Sequence, residues 1–346
     1  MPTPDIFAAE DVTPAWLSAL LGVVVEGVEG TSIGTGQVGS TIRFTLRSRD
    51  PSCLRSLVGK FQSDDDASRA AGIGQGSYAR ETLFYRELLG ALPLPVPRAL
   101  HVSFDPETHR FAIIMPDLSD HRVGNQLAPL GNADARATVR ALAQVHAAFW
   151  NDPRLETLGV LPGSPAATPM PLDALYAALW PAFCERYGAR VTDAMRAVGE
   201  AYVGRCEDWA AERGGPRTLL HGDCRPDNLL FAPDGGAILV DWQTAAVGSA
   251  ATDLAYFTGT SLAPDDRRAW EHRLFDEWCA GLPDPNREQL WQIYRRDSFA
   301  GFLMGVAASM LVVRTERGDA MFLSMCERSA AMVHDHDAPT LLRPRA

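Results

Sequence analysis

The sequence predicts an α+β protein of two lobes, with a small antiparallel β-sheet lobe followed by a larger, mainly helical lobe. Two observations support this. The first third of the chain is rich in short strand-like segments, and the rest has helical periodicity that one β-rich island, Thr218–Val240, interrupts. At 346 residues the chain is longer than one typical domain. We place the lobes at residues 1–117 and 118–346.

Composition narrows the classes of function. The chain has 32 basic and 43 acidic side chains and a formal net charge of -11. Nucleic-acid binding needs clustered Lys and Arg, so we expect no nucleic-acid partner. The six cysteines are too widely spaced for a metal site or a compact disulfide framework, which favours reduced thiols and a cytoplasmic location. The most apolar run, Phe299–Val313, is shorter than the roughly 20 residues that cross a bilayer, so we expect a buried helix and no membrane span.

The first lobe begins with a helix and three strands. Thr13 offers a capping hydroxyl and Pro14 suits a first helical turn, which predicts a short opening helix. The segments Val23–Val28, Val38–Leu46 and Leu57–Phe61 are rich in β-branched or alternating apolar residues, and turn residues separate them. They predict an antiparallel meander.

A loop, a helix and a hairpin follow the meander. Ser63–Gly76 contains three consecutive aspartates and three closely spaced glycines, which predicts a loop. The apolar spacing after Tyr78 predicts a helix that stops at Gly90. Ala99–Phe104 and Phe111–Met115 are predicted to be the two strands of a hairpin.

The second lobe is predicted to be mostly helical. Apolar residues recur at helical spacing in five segments, namely Ala133–Trp150, Leu172–Tyr187, Val191–Arg213, Pro264–Ala280 and Arg287 to about His334. The β-rich island lies between the third and fourth of these segments. We find no internal repeat and no low-complexity tract.

A glycine motif marks the first candidate site. Gly34, Gly36 and Gly39 match the pattern G-x-G-x-x-G, which serves two unrelated phosphate-binding designs. In a dinucleotide-binding fold the glycines open a helix, but here Ser40–Leu46 alternates as a strand does. A strand, a glycine loop and a second strand form the arrangement that kinases place over a triphosphate. An ordinary glycine-rich hairpin is the alternative that the motif alone leaves open.

Lys60 ends the third strand and is the only lysine in the chain. A compact ammonium at this position suits the α- and β-phosphate oxygens of a nucleotide. Its expected partner is a carboxylate on the following helix, where Glu81 and Glu87 are the candidates. A surface glutamate without that role is the alternative interpretation.

The third group of residues carries the most specific pattern. His221–Asn228 has the sequence H-G-D-C-R-P-D-N, and an apolar strand that ends at Val240 is followed by D-W-Q, beginning with Asp241. These two segments resemble the aminoglycoside phosphotransferase superfamily, particularly its choline-kinase-like and ecdysteroid-kinase-like branches. The chain is most similar to the ecdysteroid-kinase-like branch.

The resemblance implies a two-lobed, protein-kinase-like fold and an ATP-dependent enzyme that phosphorylates a hydroxyl of a small molecule. It implies that Asp223 accepts the proton of that hydroxyl and that Arg225 steadies the transferring phosphoryl group. Asn228 and Asp241 would bind Mg²⁺. Phosphoryl transfer needs mainly positioning and charge neutralisation, so this small set of groups suffices.

The resemblance extends to the segment that links the lobes. Phe111–Leu118 resembles the family's linker, whose backbone contacts adenine, and this makes Met115, Asp117 and Leu118 candidate nucleotide contacts. Pro116 stands where the family commonly has a glutamate, so one backbone donor is missing there.

Two helices of this chain also resemble those of the family. Tyr78–Tyr85 resembles the family's E-x-x-x-Y helix, which favours Glu81 over Glu87 as the partner of Lys60. Asp253 matches an aspartate that supports the catalytic loop. His146 and His221 are expected to be structural, not reactive.

Several alternatives remain open at the level of sequence. A catalytically inactive nucleotide-binding pseudokinase would be expected to have lost a key residue, yet Lys60 and Asp223 are present, as are the expected metal ligands. A protein kinase is disfavoured because the short stretch from Asp241 to Asp253 leaves no room for an activation segment. An aminoglycoside or macrolide kinase stays possible. For the cluster His334–Asp337 we prefer a solvated chain end over a metal site.

The charge of the C-terminal segment indicates the chemical class of the acceptor. Residues 285–330 hold five acids and six arginines, although the chain as a whole is acidic. A polycation would need several converging carboxylates, so we expect an uncharged or anionic, largely apolar alcohol. The apolar side chains available to line a pocket are Trp291, Phe299, Phe302, Met304, Met310, Leu311, Met321, Phe322 and Met325. The acceptor's identity and the oligomeric state stay open.

Overall fold

A computed structural model describes residues 3–34, 38–211 and 214–342. The chain divides into two units, which consist of Met1–Asp120 with Asp241–Thr244, and of His121–Val240 with Ala245–Ala346. The sequence predicts one boundary, after residue 117. In the structure the short segment Asp241–Thr244 also groups with the first unit.

The opening helix, α1, spans Pro14–Leu21. The Thr13 hydroxyl accepts a hydrogen bond from the Trp16 N–H at 3.2 Å, and Pro14 occupies the first helical position. Gly22 ends the helix with a φ of 70°, a conformation that favours glycine. The predicted cap and helix are therefore confirmed.

The first unit contains a five-stranded antiparallel sheet. Its strands are β1 (Gly27–Ser32), β2 (Gly39–Arg47), β3 (Ser56–Gln62), β4 (His101–Phe104) and β5 (Phe111–Pro116). They lie in the order β1-β2-β3-β5-β4. The predicted meander and hairpin are confirmed, because β1, β2 and β3 pair in sequence and β4 pairs with β5.

The position of β1 differs from the prediction, since the strand begins at Gly27 instead of Val23. The apolar segment Val23–Val28 is explained by packing: Val25 is buried in the core of this unit, whereas Val24 is 70% exposed. β1 is an edge strand, and its last four residues are exposed. The bounds of β1 are determined by backbone pairing with β2, and the side-chain pattern of β1 does not indicate this pairing.

The predicted loop Ser63–Gly76 is wrong in part, because it contains helix α2, Asp66–Gly74. The Asp65 carboxylate caps this helix by accepting from the Ser68 N–H at 2.8 Å. Gly72 does not break the helix. It allows close packing, since a Cβ there would come within 2.5 Å of the Tyr78 ring.

Helix α3, Ser77–Leu83, continues into a π-helical turn, Phe84–Leu88. The segment Asp241–Thr244 packs against these turns. The Trp242 ring stacks on Phe84 with centroids 3.8 Å apart, and Arg80 Nε donates to the Gln243 carbonyl at 2.9 Å. These contacts explain why the segment belongs to the first unit.

The second unit is mainly helical. Its helices are α4 (Asn132–Ala148), α5 (Leu172–Tyr187), α6 (Asp193–Tyr202), α7 (Cys206–Ala210), α8 (Ala250–Ser261), α9 (Pro264–Cys279), α10 (Arg287–Arg296), α11 (Ala300–Leu311) and α12 (Glu316–Asp335). The predicted helical character is confirmed, and the α+β class with it.

Short strands accompany the helices. They are β6 (Arg122–Val123), β7 (Thr218–Leu220), β8 (Leu229–Phe231), β9 (Ala237–Leu239) and β10 (Ala246–Gly248). β6, β8 and β9 form one small sheet, and β7 pairs with β10. Together they hold the loop between β7 and β8, which carries the H-G-D pattern.

Helix boundaries in this unit differ from the prediction in three places. The sequence prediction omits α8, whose residues are almost all buried and therefore show no polar face. The segment Val191–Arg213 is interrupted at Gly204, which has a φ of 68°, and its predicted end lies outside the described residues. The segment from Arg287 forms three helices, the last of which Thr315 caps.

The apolar run Phe299–Val313 contains the whole of α11. Phe299 and Phe302 are fully buried in the core of the second unit, as predicted. Leu311 and Val313, at the end of the run, are about half exposed. Within the three described ranges, no helix has both the length and the apolar character that crossing a membrane requires.

The expectation of a solvated chain end at His334–Asp337 is wrong for His336, while the other three residues are exposed. His336 is 7% exposed, and its Nε2 lies 3.1 Å from Glu271 Oε2. Asp335 accepts hydrogen bonds from Arg267 and Arg268. These contacts tie the end of α12 to α9, which the sequence pattern does not reveal.

Candidate active site

Lys60 lies in the middle of the sheet of the first unit, opposite Thr41 of β2 and Ile113 of β5. Its ammonium donates to two carboxylates, Glu81 Oε1 at 2.6 Å and Asp241 Oδ1 at 2.8 Å. We call these three residues the Lys60 cluster. The structure therefore places the predicted lysine, helical glutamate and D-W-Q aspartate together.

Glu81, and not Glu87, is the partner of Lys60, as the family resemblance implied. Glu81 is 2% exposed and also accepts from the Trp242 N–H at 3.3 Å. Glu87 accepts instead from the neighbouring Arg86 at the surface.

The pKa values of the Lys60 cluster are shifted by burial and by mutual attraction. Burial alone would lower the pKa of Lys60, but the Asp241 and Glu81 carboxylates outweigh it and hold the pKa above its ordinary value. Burial raises the pKa of Glu81, and the nearby Asp241 adds to this, while the Lys60 ammonium opposes it. The lysine is therefore firmly cationic at neutral pH.

The glycine motif lies between β1 and β2. Gly34 has a φ of 78°, which favours glycine, and a Cβ on Gly39 would come within 3.2 Å of the Phe61 carbonyl. Gly36 lies outside the described residues. Tyr78, on α3, donates to the carbonyl of Val38 and so anchors the start of β2.

The predicted nucleotide linker follows β5. Met115 is buried, and Leu118 is half-buried. The Asp117 carboxylate accepts from Arg43 Nε at 2.8 Å and from the Ser56 hydroxyl at 2.7 Å. Its side chain thus braces β2 and β3, and contact of this segment with adenine stays a prediction.

In the second unit, Asp223 follows β7 and receives hydrogen bonds from three side chains. Arg225 Nε lies 3.1 Å from both carboxylate oxygens, Asn228 Nδ2 donates to Oδ2 at 2.9 Å, and the Tyr256 hydroxyl donates to Oδ1. We call Asp223, Arg225, Asn228 and Tyr256 the Asp223 cluster. Asp223 is only 9% exposed, so its carboxylate has one fixed orientation.

Arg225 is held by two carboxylates. Besides Asp223, it donates through Nη1 to Asp227 Oδ2 at 3.0 Å. Burial lowers the pKa of Arg225, but the Asp223 charge and its other partners raise it above the ordinary value. The structure thus shows a guanidinium that orients Asp223, while its action on a phosphoryl group stays a prediction.

The Asn228 amide is oriented by Asp223. Its nitrogen donates both to the Asp223 backbone carbonyl and to Asp223 Oδ2, each at 2.9 Å. Because the nitrogen is used twice, the amide oxygen is the atom left to bind a cation. Asn228 therefore suits a metal ligand chemically. Within the described ranges, no cluster of three His, Cys, Asp or Glu side chains could hold a metal.

The loop that carries Asp223 rests on Asp253, as the resemblance implied. Asp253 accepts from the backbone N–H groups of His221 at 2.6 Å and Gly222 at 3.0 Å. Burial would raise the pKa of Asp253, but the hydrogen bond and charge of His146, together with the loop, hold it below its ordinary value. The support is thus an ionised carboxylate inside the core.

Both histidines are structural, as predicted. His146 is fully buried, with Nδ1 accepting from Trp278 Nε1 at 3.0 Å and Nε2 lying 3.3 Å from Asp253. His221 Nδ1 accepts from the Asp223 N–H at 3.3 Å, and its Nε2 lies 3.0 Å from the Val240 carbonyl. Each ring is held at both nitrogens.

Sequence reasoning missed Tyr256 and Arg317. Tyr256 lies one helical turn after Asp253 on α8, so recognising that helix would have placed both residues on one face. Burial raises the pKa of Tyr256 well above its ordinary value, which keeps it a neutral donor to Asp223. Arg317 makes two 2.9 Å hydrogen bonds to Asp227 from the start of α12. No local pattern links positions so far apart in the chain.

Most apolar residues expected to line an acceptor pocket are core residues instead. Phe299, Phe302, Met321, Phe322 and Met325 are all buried. Their helical spacing reflects packing within the second unit.

Comparison with known proteins identifies the family. The family model "Phosphotransferase enzyme family" matches residues 68–291, which is more than half of the chain. Acyl-CoA dehydrogenase family member 11 of Gallus gallus is 27% identical over 125 residues, which make up 34% of this chain and 16% of that protein. The match thus spans about a sixth of that relative.

Solved structures show the same fold. A choline kinase from Cryptosporidium parvum has a TM-score of 0.57 at 10% identity, covering 96% of each chain. The gentamicin complex of APH(2")-IIa has a TM-score of 0.53 at 16% identity, covering 95% of this chain and 99% of that one. An ethanolamine kinase from Plasmodium vivax has a TM-score of 0.52 at 13% identity, covering 87% and 82%. These likenesses confirm the predicted two-lobed, protein-kinase-like fold. The family model confirms the predicted superfamily, and it shows that the chain belongs to the phosphotransferase enzyme family.

Proposed function

We propose that this protein transfers the γ-phosphate of ATP to a hydroxyl of a small molecule. The observation that carries this proposal is the Asp223 cluster, in which a nearly buried carboxylate is fixed by three donors on a loop that Asp253 supports. A carboxylate held in one orientation suits a group that must meet an acceptor hydroxyl at hydrogen-bond distance.

In this proposal Asp223 accepts the proton of the acceptor hydroxyl as its oxygen bonds to the γ-phosphorus. The bond from that phosphorus to the bridging oxygen breaks, and ADP leaves. Arg225 keeps Asp223 in place and adds positive charge beside the transferring group.

The nucleotide would be bound by residues of the first unit. Gly34, Gly36 and Gly39 offer backbone N–H groups to the phosphates, and Lys60 contacts the α- and β-phosphates while Glu81 orients it. Met115, Asp117 and Leu118 would contact the base.

Asn228 and Asp241 are the proposed Mg²⁺ ligands. Their donor atoms, an amide oxygen and a carboxylate oxygen, are those that this hard cation prefers. Mg²⁺ supplies neutralisation of phosphate charge, and it usually keeps waters and substrate oxygens besides one or two protein ligands. Two protein ligands are therefore sufficient.

The relatives support a small-molecule acceptor. Similar structures include kinases of choline and ethanolamine and a protein in complex with gentamicin. The proposal includes a cytoplasmic location, where the sequence predicts the six thiols to stay reduced.

The test measures ADP formation with Mg-ATP in the presence and absence of small alcohols, together with calorimetric titration of Mg-ATP. We expect acceptor-dependent ADP formation that EDTA abolishes. Asp241→Ala should abolish Mg-ATP binding, and Asn228→Ala should weaken it less, because a charged ligand holds the cation more strongly than an amide does. Full Mg-ATP affinity in both variants would contradict the proposed metal site. Mg-ATP binding without any transfer would favour the pseudokinase alternative.

A further inference from the structure

The conformation of Asp241 raises the question of what holds this proposed metal ligand in place. We propose that Arg80 is a positioning residue for Asp241, which it holds, through Gln243, in the orientation that binds Mg²⁺. This inference rests on the proposed function, because it takes Asp241 to be a magnesium ligand. It gives a role to Arg80, a residue to which the proposed function assigns none.

Asp241 has an unfavourable backbone conformation. Its φ is 71°, in the left-handed region that residues with a Cβ adopt only rarely. Such a conformation costs free energy and persists only where neighbouring contacts hold it. Because φ sets the direction in which the side chain leaves the backbone, the contacts that hold this conformation also direct the Asp241 carboxylate.

Trp242, the next residue, is held by two contacts with α3 and the π-helical turn that follows it. Its N–H donates to Glu81 Oε1 at 3.3 Å. Its ring stacks on that of Phe84, with centroids 3.8 Å apart. Both contacts fix the backbone that follows Asp241.

Arg80 reaches the same segment from α3. Its Nε donates to the backbone carbonyl of Gln243 at 2.9 Å. The side-chain amide of Gln243 in turn donates to Asp241 Oδ2 at 3.3 Å. The other carboxylate oxygen, Oδ1, accepts from Lys60 at 2.8 Å. Arg80 therefore fixes the residue that, together with Lys60, orients the Asp241 carboxylate.

The electrostatics of Arg80 also favour a positioning role. Burial lowers the pKa of Arg80 to about 10, and no charged group contributes to that shift. At Lys60, by contrast, two carboxylates outweigh burial and raise the pKa. The charge of Arg80 is therefore not used to neutralise a carboxylate, and its hydrogen bond to a backbone carbonyl offsets part of the cost of burying it.

The experiment measures the affinity for ATP by calorimetry, once with Mg²⁺ and once in EDTA. The ratio of the two affinities is the contribution of Mg²⁺. Arg80→Met removes the Nε donor and should weaken Mg-ATP binding about tenfold, an effect typical of removing a residue that orients a metal ligand. The affinity for ATP in EDTA should be unchanged, because Arg80 acts only through Asp241.

Arg80→Gln is the matched variant. Glutamine Nε2 occupies the same place along the side chain as arginine Nε, so it can donate to the Gln243 carbonyl without a positive charge. We expect Arg80→Gln to keep most of the Mg-ATP affinity that Arg80→Met loses. The control is Arg86→Met, at an arginine that is 49% exposed and pairs with Glu87, and it should bind like the parent protein.

A second position keeps the test decisive if Arg80→Met fails to fold. Gln243→Met removes the amide that donates to Asp241 Oδ2 and should weaken Mg-ATP binding in the same way, again without an effect in EDTA. Unchanged Mg-ATP affinity in Gln243→Met would then overturn the inference.

The other outcomes separate the inference from the proposed function. Unchanged Mg-ATP affinity in Arg80→Met would overturn the inference. An equal loss in Arg80→Met and Arg80→Gln would overturn it too, because the charge of Arg80 would then be the cause, and so would a similar loss in EDTA. All three results leave the proposed function standing. If Mg²⁺ does not strengthen ATP binding by the parent protein, the proposed metal site fails and the inference falls with it.

Discussion

The Lys60 cluster and the Asp223 cluster differ in how their charges are balanced. In the Lys60 cluster one ammonium faces two carboxylates, Glu81 and Asp241, which leaves a surplus of negative charge. In the second unit the carboxylates of Asp223 and Asp227 face two guanidiniums, Arg225 and Arg317. The first cluster has a net negative charge that a cation would neutralise, whereas the carboxylates of the second are already matched by guanidiniums.

The two clusters therefore differ in the free protein: the first has an unbalanced buried charge, and the second is already arranged around its carboxylate. The surplus charge of the Lys60 cluster is costly in the free protein, and burial raises the pKa of Glu81 accordingly. The Asp223 cluster is preorganised, because its donors already point at the carboxylate and need no rearrangement. We therefore expect changes in the first cluster to act on stability and nucleotide binding. Changes in the second cluster should act on turnover, except at Asn228, the proposed metal ligand.

The largest expected effect is on turnover. Asp223→Asn should reduce phosphoryl transfer by about a thousandfold, within the range by which a general base accelerates a reaction. Mg-ATP affinity should be nearly unchanged, because Asp223 acts on the acceptor. Steady-state kinetics and calorimetry measure the two quantities, with Asp234→Asn, in an exposed turn, as the control. Turnover near the parent rate would contradict the role given to Asp223.

The second prediction concerns stability. Lys60→Met should lower the free energy of unfolding of the first unit by about 3–5 kcal/mol, because it leaves the buried Glu81 carboxylate without its counter-charge. Lys60→Met with Glu81→Met should recover part of this loss. Urea unfolding followed by tryptophan fluorescence measures it. If the double variant is no more stable than the single one, the unpaired charge is not the cause.

The two clusters also show what the sequence could predict. Asp223, Arg225 and Asn228 lie within one short loop, and a loop of fixed spacing brings its own residues together. A lone lysine on a strand predicts a carboxylate partner on the next helix, and the family resemblance favoured Glu81 over Glu87. These contacts depend on local spacing and on charge.

The missed features depend on tertiary structure. The sequence does not predict α8 or the position of Tyr256. A helix buried on every side has no polar face, so its residues show no hydrophobic periodicity. The sequence predicts a loop at α2 because glycine disfavours helices, but in the structure Gly72 lies inside the helix, where a Cβ would clash with the Tyr78 ring. Arg317 reaches Asp227 from a distant helix, and spacing carries no information about that contact.

The third prediction uses pH to examine the support of the Asp223 cluster. The folded pKa of Asp253 lies below its ordinary value of 3.8. Its contribution to stability is therefore present above that ordinary value and is lost as the pH falls through the folded pKa. Asp253→Asn should cost about 2–3 kcal/mol at pH 7, the value of hydrogen bonds to a charged group. The difference between parent and variant should shrink in acid.

Thermal unfolding of both proteins between pH 7 and pH 3 measures this change. Asp276→Asn is the control, since its carboxylate is 62% exposed. If the difference in stability between parent and variant stays constant with pH, the charge of Asp253 does not contribute to stability.

The fourth prediction isolates one hydroxyl of the Asp223 cluster. Tyr256→Phe removes only the donor to Asp223 Oδ1 and keeps the ring in its apolar cluster. We expect kcat to fall about tenfold, equivalent to one hydrogen bond, with KM for Mg-ATP unchanged. Tyr294→Phe, which removes another buried hydroxyl that bonds to Thr258 and Glu271 and not to Asp223, is the control. If both variants lose the same activity, general loosening of the core and not the orientation of Asp223 is responsible.

The smallest expected effect is at the rim of the Asp223 cluster. Arg317 is 43% exposed, and Asp227 keeps Arg225 and the Gln126 N–H as partners when Arg317 is removed. Arg317→Ala should therefore cost less than about 1 kcal/mol in the free energy of unfolding and change kcat by less than about twofold. Added salt should reduce even this difference, because solvent ions screen exposed pairs. Denaturant unfolding and kinetics at low and high salt measure both quantities. A loss of turnover as large as that of Tyr256→Phe would show that Arg317 helps to fix the Asp223 cluster, and the charge balance of the second unit would then be part of its catalytic design.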